Sequence, residues 1–252
     1  MFVGIDMGSR TVKMAVWDGE RLVAHQIAES GFEPHRQAEK MLARIKAKTV
    51  VATGYGRHLA AEHFADRVIT EIKAHSAGIH HQFPDCTAIV DVGGQDSKII
   101  VLNAEGRVVN FQMNDKCAAG TGRFLEIMAA SLAYTLDEFG AAALAADHAA
   151  QISSMCAVFA ESEVISMKNR GIPREQIARA VHVSVVNRLA AMLARSGGGA
   201  AAVAFSGGVA RNSCIVSLLR EHLGPAVRLK VPSVPDLTGA FGAALTAAEG
   251  RT

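Results

Sequence analysis

The sequence predicts an α/β chain built from a duplicated three-strand unit, and three observations carry that expectation. Short β-branched strands alternate with stretches of helical spacing, the pattern of mixed sheets layered with helices. The opening motif also recurs: the shift of 85 positions that sets Asp6 on Asp91 sets Gly8 on Gly93, Lys13 on Lys98, Val16 on Val101 and Glu20 on Glu105, and a one-residue insertion at Gly106 keeps Arg21 on Arg107. The composition is globular, with half of the 252 residues hydrophobic, a fifth charged, 23 Gly and only 6 Pro, which excludes disorder and collagen-like repeats.

Each element follows in order. Residues 2–8 read as a strand ending in Asp6-Met7-Gly8, residues 11–17 as a second, and Asp18-Gly19 as a hairpin turn into a third at 21–27. Helical spacing at 34–48, a buried strand at 49–53 and helices at 57–64 and 69–80 complete a β-β-β-α-β-α outline. After the repeated hairpin, helices are expected at 120–132, 136–146, 155–168 and 174–195, the last opened by Pro173 and closed by Gly197-Gly198-Gly199. A strand at 202–205 runs into Ser206-Gly207-Gly208-Val209, followed by a helix at 212–223, a strand at 227–231, a Pro-rich turn at 232–235 and a helix at 239–248. The repeat implies two subdomains, 1–84 with the C-terminal helix 239–252 packed on it, and 85–238.

Lys plus Arg is 26 against 24 Asp plus Glu, a formal charge of +2 with the basic residues scattered, so nucleic acid is not the expected partner. The alanine-rich apolar runs, such as 141–146, fall short of the roughly 18 residues that span a bilayer, so no membrane segment is expected. The N-terminus shows no secretory pattern, and a cytoplasmic location is the default expectation. The four cysteines, at 86, 117, 156 and 214, form no Cys-x-x-Cys pair; in a reducing compartment they read as thiols or metal ligands rather than disulfides.

Two strand ends carry Asp-x-Gly: Asp6-Met7-Gly8-Ser9, leading into Arg10-Thr11, and Asp91-Val92-Gly93-Gly94-Gln95-Asp96. Glycines let backbone N–H groups approach phosphate oxygens, and two carboxylates suit Mg²⁺ directly or through its waters. One such turn is an ordinary hairpin; two at duplicate positions, with Ser206-Gly207-Gly208 as a nucleoside-facing turn, point to a nucleotide site. No Gly-x-x-x-x-Gly-Lys-Ser/Thr occurs, so a P-loop is excluded.

This constellation resembles the actin, Hsp70 and sugar-kinase ATPase superfold, which implies duplicated ribonuclease H-like subdomains. The segments from Asn114 to Glu126 and from Cys156 to Ser166, with Ala52-Thr53-Gly54-Tyr55-Gly56-Arg57 and Val90 to Asp96, narrow it: they resemble the 2-hydroxyacyl-CoA dehydratase activators, a family that includes benzoyl-CoA reductase ATPase subunits. The resemblance covers nearly the whole chain in the right order.

It implies a homodimer in which Cys117 and Cys156 of each subunit hold one shared [4Fe–4S] cluster, both cysteines being expected at helix N-termini. It further implies an ATPase, fed by ferredoxin or flavodoxin, that passes one low-potential electron to a 2-hydroxyacyl-CoA dehydratase. The alternative within the family is an ATP-dependent reductase of a double-cubane-cluster protein or a benzoyl-CoA reductase subunit. Asp6 and Asp91 would hold Mg²⁺ and Gln95 would orient the attacking water. Gly8, Ser9, Arg10, Thr11, Gly93, Gly94, Asp96, Gly120, Thr121, Gly122, Glu161, Gly207, Gly208, Val209 and Asn212 would contact ATP. A small-molecule kinase of the same superfold, with incidental cysteines, is the competing class, although little chain remains for a substrate-binding insertion; a filament or chaperone relative would need a further domain.

Blander readings apply elsewhere. Cys86 and Cys214 are expected as buried small hydrophobes. His75, His80 and His81 are expected on a solvated helix face. Lys13 and Lys98 are expected to point outward into water, and Met113, Met128 and Met155 to fill core or interface.

Overall fold

The computed structural model describes residues 1–152, 157–197 and 200–250. By their internal contacts these divide into two units, one of Met1–Thr87, Leu102–Asn110 and Pro232–Thr252, the other of Ala88–Val101 and Phe111–Val231. Residues 85–87, the tip of the second hairpin and residues 232–238 therefore go with the first unit, where the sequence places them in the second.

The first unit opens with β1 (Phe2–Met7), β2 (Thr11–Trp17) and β3 (Leu22–Glu29). Then follow α1 (Pro34–Leu42), β4 (Thr49–Thr53), α2 (Arg57–His63), β5 (Arg67–Val68) and α3 (Glu71–Gln82). The sheet order is β3-β2-β1-β4-β5, with β1 antiparallel to β2 and parallel to β4. Val3, Ile5, Val12, Met14 and Val16 build its core against Ala38 and Met41 of α1. The helix expected over 34–48 stops at Leu42, because tight turns (Ile45 N to Leu42 O, 2.8 Å; Ala47 N to Ile45 O, 3.0 Å) bring Lys48 N to Met1 O at 2.7 Å and align β4 on β1.

The second sheet starts with β6 (Ala88–Val92), β7 (Ser97–Leu102) and β8 (Val108–Asn114). The helices α4 (Gly122–Ser131), α5 (Leu136–Ala145), α6 (Ala157–Asn169) and α7 (Arg174–Arg195) precede β9 (Ala202–Ser206), α8 (Ser213–Leu223) and β10 (Arg228–Lys230). Its order, β8-β7-β6-β9-β10, repeats the first: β6 is antiparallel to β7 and parallel to β9. A capping box opens α5, with Thr135 Oγ1 accepting from Glu138 N and Glu138 Oε2 from Thr135 N.

α7 is long and apolar enough to cross a membrane by length and composition, a length the sequence reading had found nowhere; 61% of that span is buried in the protein. Its Ile177, Val181, Val185 and Leu189 join Phe124, Phe139 and Phe205 in the second core.

The last helix, α9 (Thr238–Ala248), lies on β1 and α3 of the first unit. The approach is as close as backbones allow: a Cβ on Gly4 would strike Ala240 O, and one on Gly242 would strike Ala74 O.

Candidate functional site

In the first unit β1 delivers Asp6, 6% exposed, to the strand end. The turn that follows closes with Gly8 N–H donating to Thr11 O (3.1 Å), and Ser30 Oγ braces it by donating to Gly8 O (2.8 Å). Ser9 and Arg10 are exposed on that turn. Asp6 is the direct partner of Lys13 across the hairpin, and Lys13 Nζ stands 3.0 Å from Asp6 Oδ2.

The second unit repeats this. Asp91 is 2% exposed, Gly93 N–H donates to Asp96 O (3.0 Å), and Asp91 is the direct partner of Lys98. Lys98 Nζ lies 2.8 Å from Asp96 Oδ2 and 3.6 Å from Asp91 Oδ2. Both lysines thus contradict the expected outward orientation. Directly opposed residues of antiparallel strands share a face, so each lysine is placed on its aspartate's side, and the buried carboxylates supply the charge that keeps it there.

The second turn also holds a helix. Gly122 N–H donates to Gly93 O (2.9 Å) and Arg123 N–H to Gly94 O (2.8 Å), which pins the start of α4 on the glycine turn. Gly120 has φ +90°, and Thr121 is fully buried. Gln95 is exposed at the turn's tip. The elements that end in Thr53 and Ser206 line up as well: Thr53 is opposite Asp6, Ser206 is opposite Asp91, and Ser206 Oγ donates to Asp91 Oδ1 at 2.9 Å. Both are followed by glycines in the left-handed region, Gly54 (φ +93°) and Gly207 (φ +85°), where a side chain would meet the aspartate. A short 3₁₀ turn, Gly208–Arg211, leads to α8 and contains the buried Val209.

Asn212, expected at the nucleotide, has both ends of its amide committed. Its Oδ1 accepts from Ile215 N (3.1 Å) and caps α8, while Nδ2 lies 3.0 Å from His182 Nε2. Burial pushes His182 down to about 4, so the ring is neutral; Nδ1 then donates to Ala178 O (2.8 Å) and Nε2 accepts from Asn212.

Cys117 is half-buried and sits in the loop between β8 and α4, five positions before the helix at which it was expected. Asn114 clasps that loop, its Oδ1 accepting from Cys117 N (3.2 Å) and its Nδ2 donating to Cys117 O (2.9 Å). Cys117 lines a cavity of about 540 Å³ whose wall also includes Gln112, Asn187, Arg188 and Arg195. Cys156, with Ser153, Ser154 and Met155, lies outside the described residues. Glu161 is half-buried on α6. Cys86 and Cys214 are buried as expected, and burial raises the Cys214 thiol to about 11, which leaves it inert. His75 is buried rather than solvated, Met128 is in the core, and Met113 is 47% exposed.

The donor sets suit the groups the sequence implies. Buried carboxylates beside open glycine turns match a hard cation with phosphates. A cavity lined by a cysteine and two arginines matches a soft, anionic iron–sulfur group. The sequence reading missed Lys13, Lys98 and Thr53 as parts of the site. The lysines were findable, because residues seven apart around a tight hairpin turn come out opposite each other.

Two sheets of one strand order, each ending in an aspartate–glycine turn, define an ATPase of the actin and sugar-kinase fold. A solved ROK-family glucokinase from Streptomyces griseus shares this architecture, with TM-score 0.60 and 14% identity over 99% of each chain. The chain belongs to the BadF/BadG/BcrA/BcrD ATPase family, whose profile matches residues 3–247. It is 43% identical to the activator of lactoyl-CoA dehydratase from Anaerotignum propionicum, over 98% of this chain and 97% of that one. The solved activator of 2-hydroxyisocaproyl-CoA dehydratase from Clostridium difficile, with ADPNP bound, aligns at TM-score 0.90 and 40% identity over 99% of this chain and 95% of that one.

Proposed function

We propose that this chain is an ATP-driven one-electron donor: a homodimer that takes an electron from ferredoxin or flavodoxin, passes it with ATP bound to a 2-hydroxyacyl-CoA dehydratase, and is reset by ATP hydrolysis. The observation that carries the reading is the duplicated strand-end site, in which Asp6 and Asp91 each have a lysine seven positions on, a turn closed by a glycine N–H bonded to the carbonyl three positions after it, and an opposing hydroxyl residue, Thr53 or Ser206. Kinship with dehydratase activators over nearly the full chain supports the choice of partner.

In this reading Asp6 and Asp91 hold Mg²⁺; the Gly8 and Gly93 N–H groups close the two turns, and the backbone N–H groups of Ser9 to Thr11 and of Gly94 cradle phosphate oxygens. The N-terminus of α4, with Gly120, Thr121 and Gly122, adds its dipole to the same anion. Gly207, Gly208 and Val209 flank the nucleoside, Asn212 holds that turn through α8, and Glu161 reaches the nucleotide from α6. Gln95 accepts a hydrogen bond from the attacking water and orients it in line with the γ-phosphorus. No protein nucleophile is needed, so positioning and charge stabilisation lower the barrier. Cys117 and Cys156 of each subunit ligate a shared [4Fe–4S] cluster, which supplies low-potential one-electron chemistry when bound. Arg188 and Arg195 place positive charge on the cavity that borders Cys117.

The test is anaerobic purification with iron and sulfide analysis, an EPR spectrum, and MgATP-dependent activation of a dehydratase. About four irons per dimer and activation that requires ATP are expected. An iron-free protein that phosphorylates a small molecule would overturn the reading in favour of a kinase.

A further inference from the structure

Thr53 ends β4 fully buried, and its Oγ1 has no hydrogen-bond partner among the described residues. Buried hydroxyls are nearly always satisfied, so one left open beside a charged strand end calls for a reason. The second sheet supplies the comparison. Ser206 stands opposite Asp91 as Thr53 stands opposite Asp6, and Ser206 has made its bond, 2.9 Å to Asp91 Oδ1. The two positions agree in other features, although Lys98 also bonds Asp96, where the first turn has Thr11. Each aspartate turns Oδ2 toward the lysine seven positions on, and each hydroxyl residue precedes a glycine of positive φ. Asp6 Oδ1 faces the position a Gly54 side chain would take, next to Thr53.

We infer that Thr53 is a positioning residue whose hydroxyl is held for the nucleotide-loaded state, where it donates to Asp6 Oδ1. The inference rests on the reading that Asp6 binds the magnesium of the nucleotide. A cation that draws on the Asp6 carboxylate must compete with Lys13 for it, so the carboxylate has to settle in a second orientation. A donor with nothing to lose in the empty state favours that orientation without stabilising the first, so its whole contribution goes to binding.

The test is Thr53→Val, which keeps the shape and removes the hydroxyl, read by thermal melting of the empty protein and by calorimetry with Mg–ADP. The melting temperature is expected to stay level or rise, since no bond is lost, while the Mg–ADP dissociation constant weakens about tenfold, the weight of one hydrogen bond to a charged acceptor. Thr53→Ser should restore affinity. Ser206→Ala is the contrast: it breaks an existing bond and should lower the melting temperature of the empty protein. Unchanged Mg–ADP affinity in Thr53→Val, or a lower melting temperature without nucleotide, would overturn the inference while leaving the nucleotide reading intact. A wild-type protein that does not bind Mg–ADP would overturn both.

Discussion

Lys13 and Lys98 change what a substitution at the paired aspartates does. Asp91→Asn removes a carboxylate but keeps an oxygen for Ser206, so the fold should hold while phosphate release falls at least about tenfold, a neutral amide being a poor ligand for Mg²⁺. Steady-state turnover equal to wild type would remove Asp91 from the mechanism. Gln95 is exposed at the turn tip; Gln95→Ala should lower kcat with the ATP dissociation constant nearly unchanged, as for a contact made mainly in the transition state. Lys98→Met leaves Asp91 and Asp96 buried without their cation, and urea unfolding should report a loss of about 3–5 kcal/mol. The aspartates and glycines were legible because their chemistry is local. Thr53 was not, because its meaning depends on strand register and on a hydroxyl's partners, neither of which spacing encodes.

Among the elements, the start of α8 ties three helices together: Asn212 caps α8, bonds His182 of α7 and lies against Gly140 of α5. His182 is neutral in the fold and has its ordinary value near 6.5 when unfolded, so the unfolded chain takes up its proton first as pH falls. Its contribution is present in full above about pH 6.5 and is lost between there and about 4, a span of about 3 kcal/mol. His182→Gln keeps an acceptor for Asn212 without titrating, and its urea midpoint should vary less between pH 7.5 and 5 than that of wild type. Most helices and strands were legible from period and capping: α7 and β4 match their expected bounds. β5 was missed because two residues carry no period. The Cys117 loop was taken for a helix start because Gly120 and Gly122 read alike, whereas Gly120 adopts a positive φ and only Gly122 is helical.

At the scale of the whole molecule, the shared ligation proposed above would make the cluster the most fragile part. In a homodimer Cys117→Ser deletes two thiolates at once, so iron should be almost wholly lost while Mg–ATP still binds; Cys86→Ser and Cys214→Ser should keep the colour. Full iron content in Cys117→Ser would end the electron-transfer reading. The duplication was legible from one repeated motif, and the matching strand orders extend it to β4 and β9, whose Thr53-Gly54 and Ser206-Gly207 share too little sequence to align by eye. The unit boundaries were less legible, because contacts rather than sequence order assign 102–110 and 232–238. The fit of α9 on Gly4 also bears on how the protein is made. The ribosome releases β1 long before α9, with the entire second unit translated in between, so the nascent first sheet waits with one side uncovered. The second unit, whose core needs nothing that is made later, is free to mature first, and a chaperone that shields strands emerging early would act on the first unit.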